Sequence, residues 1–234
     1  MNLDNCIRIK EDICVFEEFL TPEESKAIVA YWEYCRDNNL LEWTPISFYE
    51  SYASVIPENE FMKQFNIPKN FFTELETKMQ EATAITRGLP VKKVSYHAQQ
   101  WEPGAFAGFH SDNSTNGEYN AFERSKWAAF LYLNDEYEGG ELDFKDHDIT
   151  IKPKAGMLAA FAGGAHNEHQ VTQVLGGNRY TIGSFWDNEE SEYSEEKIAS
   201  WEKEISEERL RQAEQIKGWQ DKKAEGIILD PSTY

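Results

Sequence analysis

The stretch WAAFLYLNDEYEGGELDFKDHDITIKP (residues 127–153) holds three short runs, WAAFLYLN, GGELDF and DITIKP, rich in aromatic and β-branched residues and broken by Gly, Asn and Asp. Such runs separated by turn residues are the signature of strands joined by tight connections. The same pattern extends outward to VKKVSYHAQQW (91–101) on one side, and to GMLAAF (156–161), HQVTQVL (169–175) and RYTIGSFW (179–186) on the other. Parallel βαβ units would need helical crossovers of about a dozen residues, and no such run lies between 92 and 187. The pattern predicts an antiparallel sandwich or open barrel.

Helical signals flank this β region. ICVFEEFL reads as a strand and leads into TPEESKAIVAYWEYCR, where Thr21 caps, Pro22 takes the first helical position and Glu24 sits where a capping-box carboxylate belongs. Ile28, Tyr31 and Cys35 then recur at helical spacing. A second helix follows Pro68, with Phe72, Leu75, Met79 and Ala82 as its apolar stripe. Both are expected to pack on the outside of the sheet. Segment 194–223 is again helical, with Ile198, Trp201, Ile205, Leu210, Ala213, Ile216 and Trp219 along one side, a stripe suited to docking on the body or another subunit, or to closing over a site. The chain therefore divides into N-terminal helical support (1–91), β core (92–187) and C-terminal helical extension (188–234), expected to form a single domain (1–234).

Forty-two acidic against 23 basic residues give a formal charge of -19, which disfavours a nucleic-acid backbone or an anionic membrane as partner and suits a neutral or basic one. The first twenty residues mix charges through every apolar run and read neither as a signal peptide nor as a membrane span. Three isolated cysteines, Cys6, Cys14 and Cys35, suit a reducing compartment. A cytoplasmic protein is expected.

Only five histidines occur, so each can be weighed. In GFHSDNS (108–114), His110 and Asp112 lie two apart at a strand end, where alternation points both to one side. His169 opens another strand-like run and would complete two imidazoles and one carboxylate, a set typical of non-haem Fe(II) oxygenases that also suits zinc. Ten residues further on, Arg179 begins a strand. A buried guanidinium there needs an anion, such as a co-substrate carboxylate, although surface or paired arginines are common. His97 shares strand parity with Gln99 and Trp101 and could border a cavity, His147 reads as a hairpin-turn residue, and the aromatics Trp43, Phe48, Tyr49 and Tyr52 read as packing or as a rim.

The ordered fragments VFEEFLTPEE, WEPGAFAGFHSD, FLYLNDEYEGGELDF, KPKAGMLAAF and HQVTQVLGGNRY resemble the prolyl 4-hydroxylase-like group of 2-oxoglutarate- and Fe(II)-dependent oxygenases, from about residue 12 to 187. The resemblance implies a mainly β fold with flanking helices (α+β), a double-stranded β-helix (jelly roll, cupin-like). It implies Fe(II) on His110, Asp112 and His169, and 2-oxoglutarate chelating the metal with its distal carboxylate on Arg179. It also implies a co-substrate pocket lined by Trp101, Leu131, Leu142 and Val171. Trp101 stands where many relatives carry the tyrosine of a Tyr-x-x-Gly motif, so it either donates one hydrogen bond or fills the pocket. The family spacing selects His169 over His166 as the second histidine ligand. The implied activity is a dioxygenase hydroxylating a peptidyl proline in a peptide or protein, basic or proline-containing, with O2 as co-substrate, ascorbate as a candidate reductant, and succinate and CO2 released. The alternatives are hydroxylation of another protein residue or a small metabolite, and a non-catalytic metal-binding jelly roll.

Overall fold

The structure is a computed structural model that describes residues 1–42, 44–45, 49–113 and 122–226. Trp43 and Phe48 lie outside the described residues. Strands β1 (Cys6–Lys10) and β2 (Ile13–Phe16) form a hairpin, followed by α1 (Pro22–Asp37), β3 (Thr44–Pro45), β4 (Tyr49–Ser54), α2 (Phe71–Arg87) and the long β5 (Val91–His110). Then come β6 (Trp127–Tyr132), β7 (Glu138–Gly139), β8 (Leu142–Phe144), β9 (Ile149–Ile151) and β10 (Leu158–Ala162). The series ends with β11 (His169–Val171), β12 (Val174–Gly176), β13 (Arg179–Asn188) and α3 (Glu195–Ala224). All strand pairs are antiparallel, as the turn-separated runs predict.

The strands follow the order β1-β2-β10-β6-β13-β5-β11-β8-β9. β5 makes this a curled structure. Residues 91–101 pair with β13, whereas Ala107 and His110 pair with β11 in the smaller sheet. The WEPG segment, whose Pro103 and Gly104 are turn-forming residues, is a bend inside one continuous 20-residue strand. Gly104 takes φ +99°, a conformation open to glycine, and the strand changes sheets without ending. The result is a double-stranded β-helix with α1 and α2 on one side.

The capping box at α1 is complete: Glu24 N donates to Thr21 Oγ1 at 3.1 Å and Thr21 N donates to Glu24 Oε2 at 2.9 Å. α2 starts differently. Its N-cap Asn70 makes no side-chain cap, and Glu58 Oε1 accepts from Phe72 N at 2.9 Å and Thr73 N at 3.2 Å, so a distant carboxylate satisfies the orphan amides. Both helices bury their stripes (Ile28, Tyr31, Cys35; Phe72, Leu75, Met79, Ala82) against Ala129, Leu131, Leu133, Leu158 and Ile182 on the outer face of the larger sheet. The inner face is left to line a cavity. β1 and β4 are not among the strand-like runs of the sequence reading, although Ile7 to Lys10 alternate apolar and charged residues. Both acquire their conformation from pairing, with β2 and β5 respectively. Among the described residues, no helix is long and apolar enough to cross a membrane.

Candidate active site

His110 ends β5, Asp112 follows in the bend, and His169 opens β11 directly opposite His110 in the ladder. Their ligand atoms lie within 4.8 Å of one another. His110 Nδ1 lies 2.8 Å from the carbonyl of Gly108, and His169 Nδ1 lies 2.9 Å from that of Asn167. A carbonyl only accepts, so both Nδ1 atoms carry the proton and both Nε2 lone pairs are presented. They face Asp112, His110 Nε2 at 3.8 Å from Oδ1 and His169 Nε2 at 3.8 Å from Oδ2. Backbone acceptors that fix the tautomer are the usual support of metal-binding histidines.

Burial shapes the charge state of this cluster. It pulls His169 down to about 4, against the hydrogen bond to Asn167. It also lowers His110, with His169 adding to the effect. The same burial pushes the Asp112 carboxyl up to about 6, and Asp112 Oδ2 has no hydrogen-bond partner among the described residues. Two neutral imidazoles and an under-satisfied carboxylate, converging on one point, fit a divalent transition metal.

The triad opens into a cavity of about 560 Å³. Arg179, 2 % exposed, stands at one end. Its Nε completes no hydrogen bond among the described residues, nor does any ion pair among them reach it. The guanidinium carbon lies 5.2 Å from the ring centre of Trp101 and 5.2 Å from that of Tyr132. Burial raises the Tyr132 and Tyr137 phenols, while the Arg179 guanidinium beside both hydroxyls opposes it. A cation and two hydroxyls, desolvated and under-satisfied, form a ready receptor for one carboxylate.

Trp101, Leu142 and Val171 line the cavity. Leu131 does not: it is fully buried in the helix-facing core. The alternation along β6 is as read, but the faces are exchanged, and Phe130 and Tyr132 are the residues turned to the cavity. The reason lies outside the strand, because α1 and α2 supply the larger apolar contact for the Leu131 face. Tyr132 and Tyr137 were not singled out as co-substrate residues in the sequence. The parity of FLYLN would have found Tyr132 once the inward face was known, whereas Tyr137 lies in a connection without periodicity.

The remaining histidines separate clearly. His166 is exposed in a short 3-10 turn and pairs with Asp12 Oδ2 at 2.6 Å. His147 Nε2 meets Asn167 Oδ1 at 2.7 Å in the turn after β8. His97 lines the cavity with Gln99. α3 closes part of the same space: Ile205 and Gln212 line it, Trp201 packs edge-on against Tyr193 at 4.7 Å, and Trp219 is buried with Phe106. Leu210 of the expected stripe is exposed.

A curled antiparallel double-stranded β-helix carrying two histidines and one carboxylate beside a buried arginine is the arrangement of non-haem Fe(II) oxygenases. Residues 96–187 match the family described as the 2OG-Fe(II) oxygenase superfamily. That match spans His110, Asp112, His169 and Arg179, so this part of the chain is similar to that superfamily where the site residues lie.

A segment of 67 residues, 26 % of the chain, is 37 % identical to prolyl 3-hydroxylase 2 of Homo sapiens, of which it covers 10 %. Another of 78 residues, 31 % of the chain, is 33 % identical to the 2-oxoglutarate and iron-dependent oxygenase domain-containing protein 3 of Rattus norvegicus, covering 23 % of it. The similarity therefore spans only about a tenth to a quarter of these relatives. Among solved structures, a Pseudomonas putida prolyl-4-hydroxylase superposes with TM-score 0.56 at 20 % identity, over 76 % of this chain and 92 % of that one. A Trichoplax adhaerens prolyl hydroxylase, solved with a peptide fragment of the hypoxia inducible factor oxygen degradation domain, gives 0.60 at 14 %, over 77 % and 85 %. These two likenesses are of fold.

Proposed function

We propose that the protein is a 2-oxoglutarate- and Fe(II)-dependent dioxygenase that hydroxylates a peptidyl proline and releases succinate and CO2. One observation carries this reading. A metal-competent triad and a buried arginine without a carboxylate partner among the described residues share one cavity. A structural metal site would have no use for such an arginine.

His110 Nε2, His169 Nε2 and an Asp112 oxygen would hold the iron, a ligand set that leaves room for a co-substrate. When bound, iron with 2-oxoglutarate supplies the oxidation, converting O2, co-substrate and substrate C–H into succinate, CO2 and a hydroxylated carbon. Arg179 would receive the distal carboxylate of 2-oxoglutarate, with the Tyr132 and Tyr137 hydroxyls donating alongside. Trp101 packs against the guanidinium and keeps that end dry. Asp112 acts as a ligand, so no side chain of the site need serve as a general base.

The cavity walls favour a peptidyl substrate over a free amino acid. Apart from the triad and Arg179, no Asp, Glu, Lys or Arg among the described residues lines the cavity. A zwitterion would bury two charges without partners, whereas a residue within a peptide presents only neutral amides and its ring. A second reading, a small neutral metabolite, draws on Ile205 and Gln212 of α3, which narrow the opening.

The deciding experiment supplies Fe(II) protein with 2-oxoglutarate, ascorbate and a diverse peptide pool, admits O2, and locates added oxygen by fragment mass spectrometry. Oxygen on proline, lost in His169→Ala, supports the proposal, and the fragment pattern with product standards distinguishes C3 from C4. Oxygen only on other residues, or succinate production stimulated only by small metabolites, overturns it.

A further inference from the structure

Beyond the triad and Arg179, the polar residues that line the cavity include His97, which the reaction as described leaves unused. His97 lies on β5 opposite Gly183 of β13. Gly183 makes room on that wall: a Cβ there would come within 2.9 Å of the Phe130 ring and 3.5 Å of His97 Nε2. His97 stacks on Phe185 at 6.0 Å, Phe185 meets Phe130 at 5.8 Å, Phe130 meets Phe161 at 6.1 Å, and Phe161 meets His169 at 4.8 Å. This aromatic chain joins the His97 wall to the triad.

The imidazole is held in a defined state. Thr181 Oγ1 donates to Gln99 Oε1 at 3.3 Å, and Gln99 Nε2 lies 3.0 Å from His97 Nε2. With the amide oxygen accepting from Thr181, its nitrogen donates to His97 Nε2, so the proton of the neutral ring sits on Nδ1. Burial lowers His97 to about 4, which keeps the ring neutral at physiological pH. Nδ1 makes no hydrogen bond among the described residues, and His97 lines the cavity.

We propose that His97, held by the Thr181–Gln99 relay, is a substrate-positioning residue whose Nδ1–H donates to a neutral carbonyl oxygen of the prime substrate. Phe130, Phe185 and Phe122, which line the same cavity, supply apolar walls for the group that carries the reacting C–H. A carbonyl flanked by an apolar ring is what a peptidyl proline offers. To that extent the inference rests on the hydroxylase reading, but His97 would equally select any neutral carbonyl compound over a charged one.

The test uses the full chain loaded with Mn(II) and 2-oxoglutarate, which supports binding without turnover, and N-acetyl-L-prolinamide as probe, followed by isotope-edited NMR. Removing one hydrogen bond, as in His97→Phe, should weaken the probe roughly three- to tenfold. His97→Asn, which retains an N–H donor, should restore most of that loss, and 2-oxoglutarate affinity should stay unchanged in both. The ¹⁵N shifts of His97 should report an Nδ1–H tautomer. Equal probe affinity in wild type and His97→Phe, a protonated or Nε2–H ring, or no binding of any neutral carbonyl probe would overturn the proposal. Binding of other neutral carbonyl probes but not the prolinamide, with the same His97 dependence, would sustain it while removing the prolyl reading.

Discussion

His169 stands directly across the β5–β11 ladder from His110, their ring centres 4.5 Å apart. Each ring is held by a backbone carbonyl at Nδ1, so a single strand pairing sets the geometry of two ligands. His110→Ala, Asp112→Ala and His169→Ala should each abolish Fe(II) binding measured anaerobically. His166→Ala should bind iron like the wild type, because its imidazole is engaged with Asp12. Loss of iron in His166→Ala with retention in His169→Ala would reverse the assignment.

Arg179→Leu should weaken 2-oxoglutarate binding by about 2–5 kcal/mol while leaving iron affinity within roughly twofold, since it removes a desolvated charge-assisted contact. Tyr132→Phe should cost less, about 1 kcal/mol, the ordinary worth of one neutral hydrogen bond. Calorimetric titration of the anaerobic Fe(II) protein reads both, and equal affinities in wild type and Arg179→Leu would refute the clamp.

Gly163→Ala should damage the metal site without touching a ligand. A Cβ there would lie 2.8 Å from the Ser125 carbonyl oxygen and 2.9 Å from Asp112 Cβ. Asp112 must shift for the variant to fold, so iron affinity should fall at least tenfold, a loss of about 1.4 kcal/mol. Circular dichroism should show the fold retained. Wild-type iron affinity would mean that the carboxylate has slack the close packing does not suggest.

Residues 195–226 should be dispensable for iron and co-substrate but not for substrate discrimination. All three triad residues and Arg179 precede α3, while Ile205 and Gln212 narrow the cavity. A chain ending at residue 194 should bind Fe(II) and 2-oxoglutarate within about threefold of wild type and admit bulkier peptides in the pool assay. Failure of the shortened protein to bind iron would show that α3 completes the site.

Asp187, its side chain fully buried, accepts from Lys126 Nζ at 3.1 Å. Burial alone would raise its carboxyl, but hydrogen bonds from Lys126, Tyr193 and Ser191 outweigh that and hold it below the ordinary carboxylate value. A depressed folded-state value stabilises the protein above the unfolded value, near ~4, and that stabilisation is lost as pH falls through the folded value. Asp187→Asn should therefore destabilise the protein at pH 7 by about 2 kcal/mol, less than for a fully buried pair because Lys126 reaches solvent. The difference should shrink in denaturant unfolding as pH approaches 3. A constant difference from pH 7 to pH 3 would refute the ionic origin.

Much of the fold was legible because it is written locally. Thr21, Pro22 and Glu24 announce α1 through contacts within one turn, and the turn-separated runs from 91 to 187 show period-two strands without needing their partners. The pair His110 and Asp112 was legible for the same reason, since two residues of strand alternation bring them to one side. β4 was not, because it becomes a strand by hydrogen bonding to β5, an edge supplied by residues far along the chain. The continuity of β5 through Gly104 is not legible locally, since a glycine marks where the chain can deviate but not whether its ladder continues beyond.

By itself, then, the sequence determined the antiparallel β core, the helical flanks, and a set of chemically compatible ligands with an arginine ten residues beyond the last. Tertiary structure decided which face of each strand looks inward. Leu131 and Tyr132 are adjacent with opposite fates, and the choice follows from where α1 and α2 find apolar surface, a sum over contacts far apart in the chain. Tertiary structure also brought Tyr132 and Tyr137 beside Arg179 and set His97 on a wall linked to the triad through three phenylalanine rings. Local pattern records the period of a strand, but only the packing of the whole domain sets its phase, and the phase determines which side chains meet a substrate.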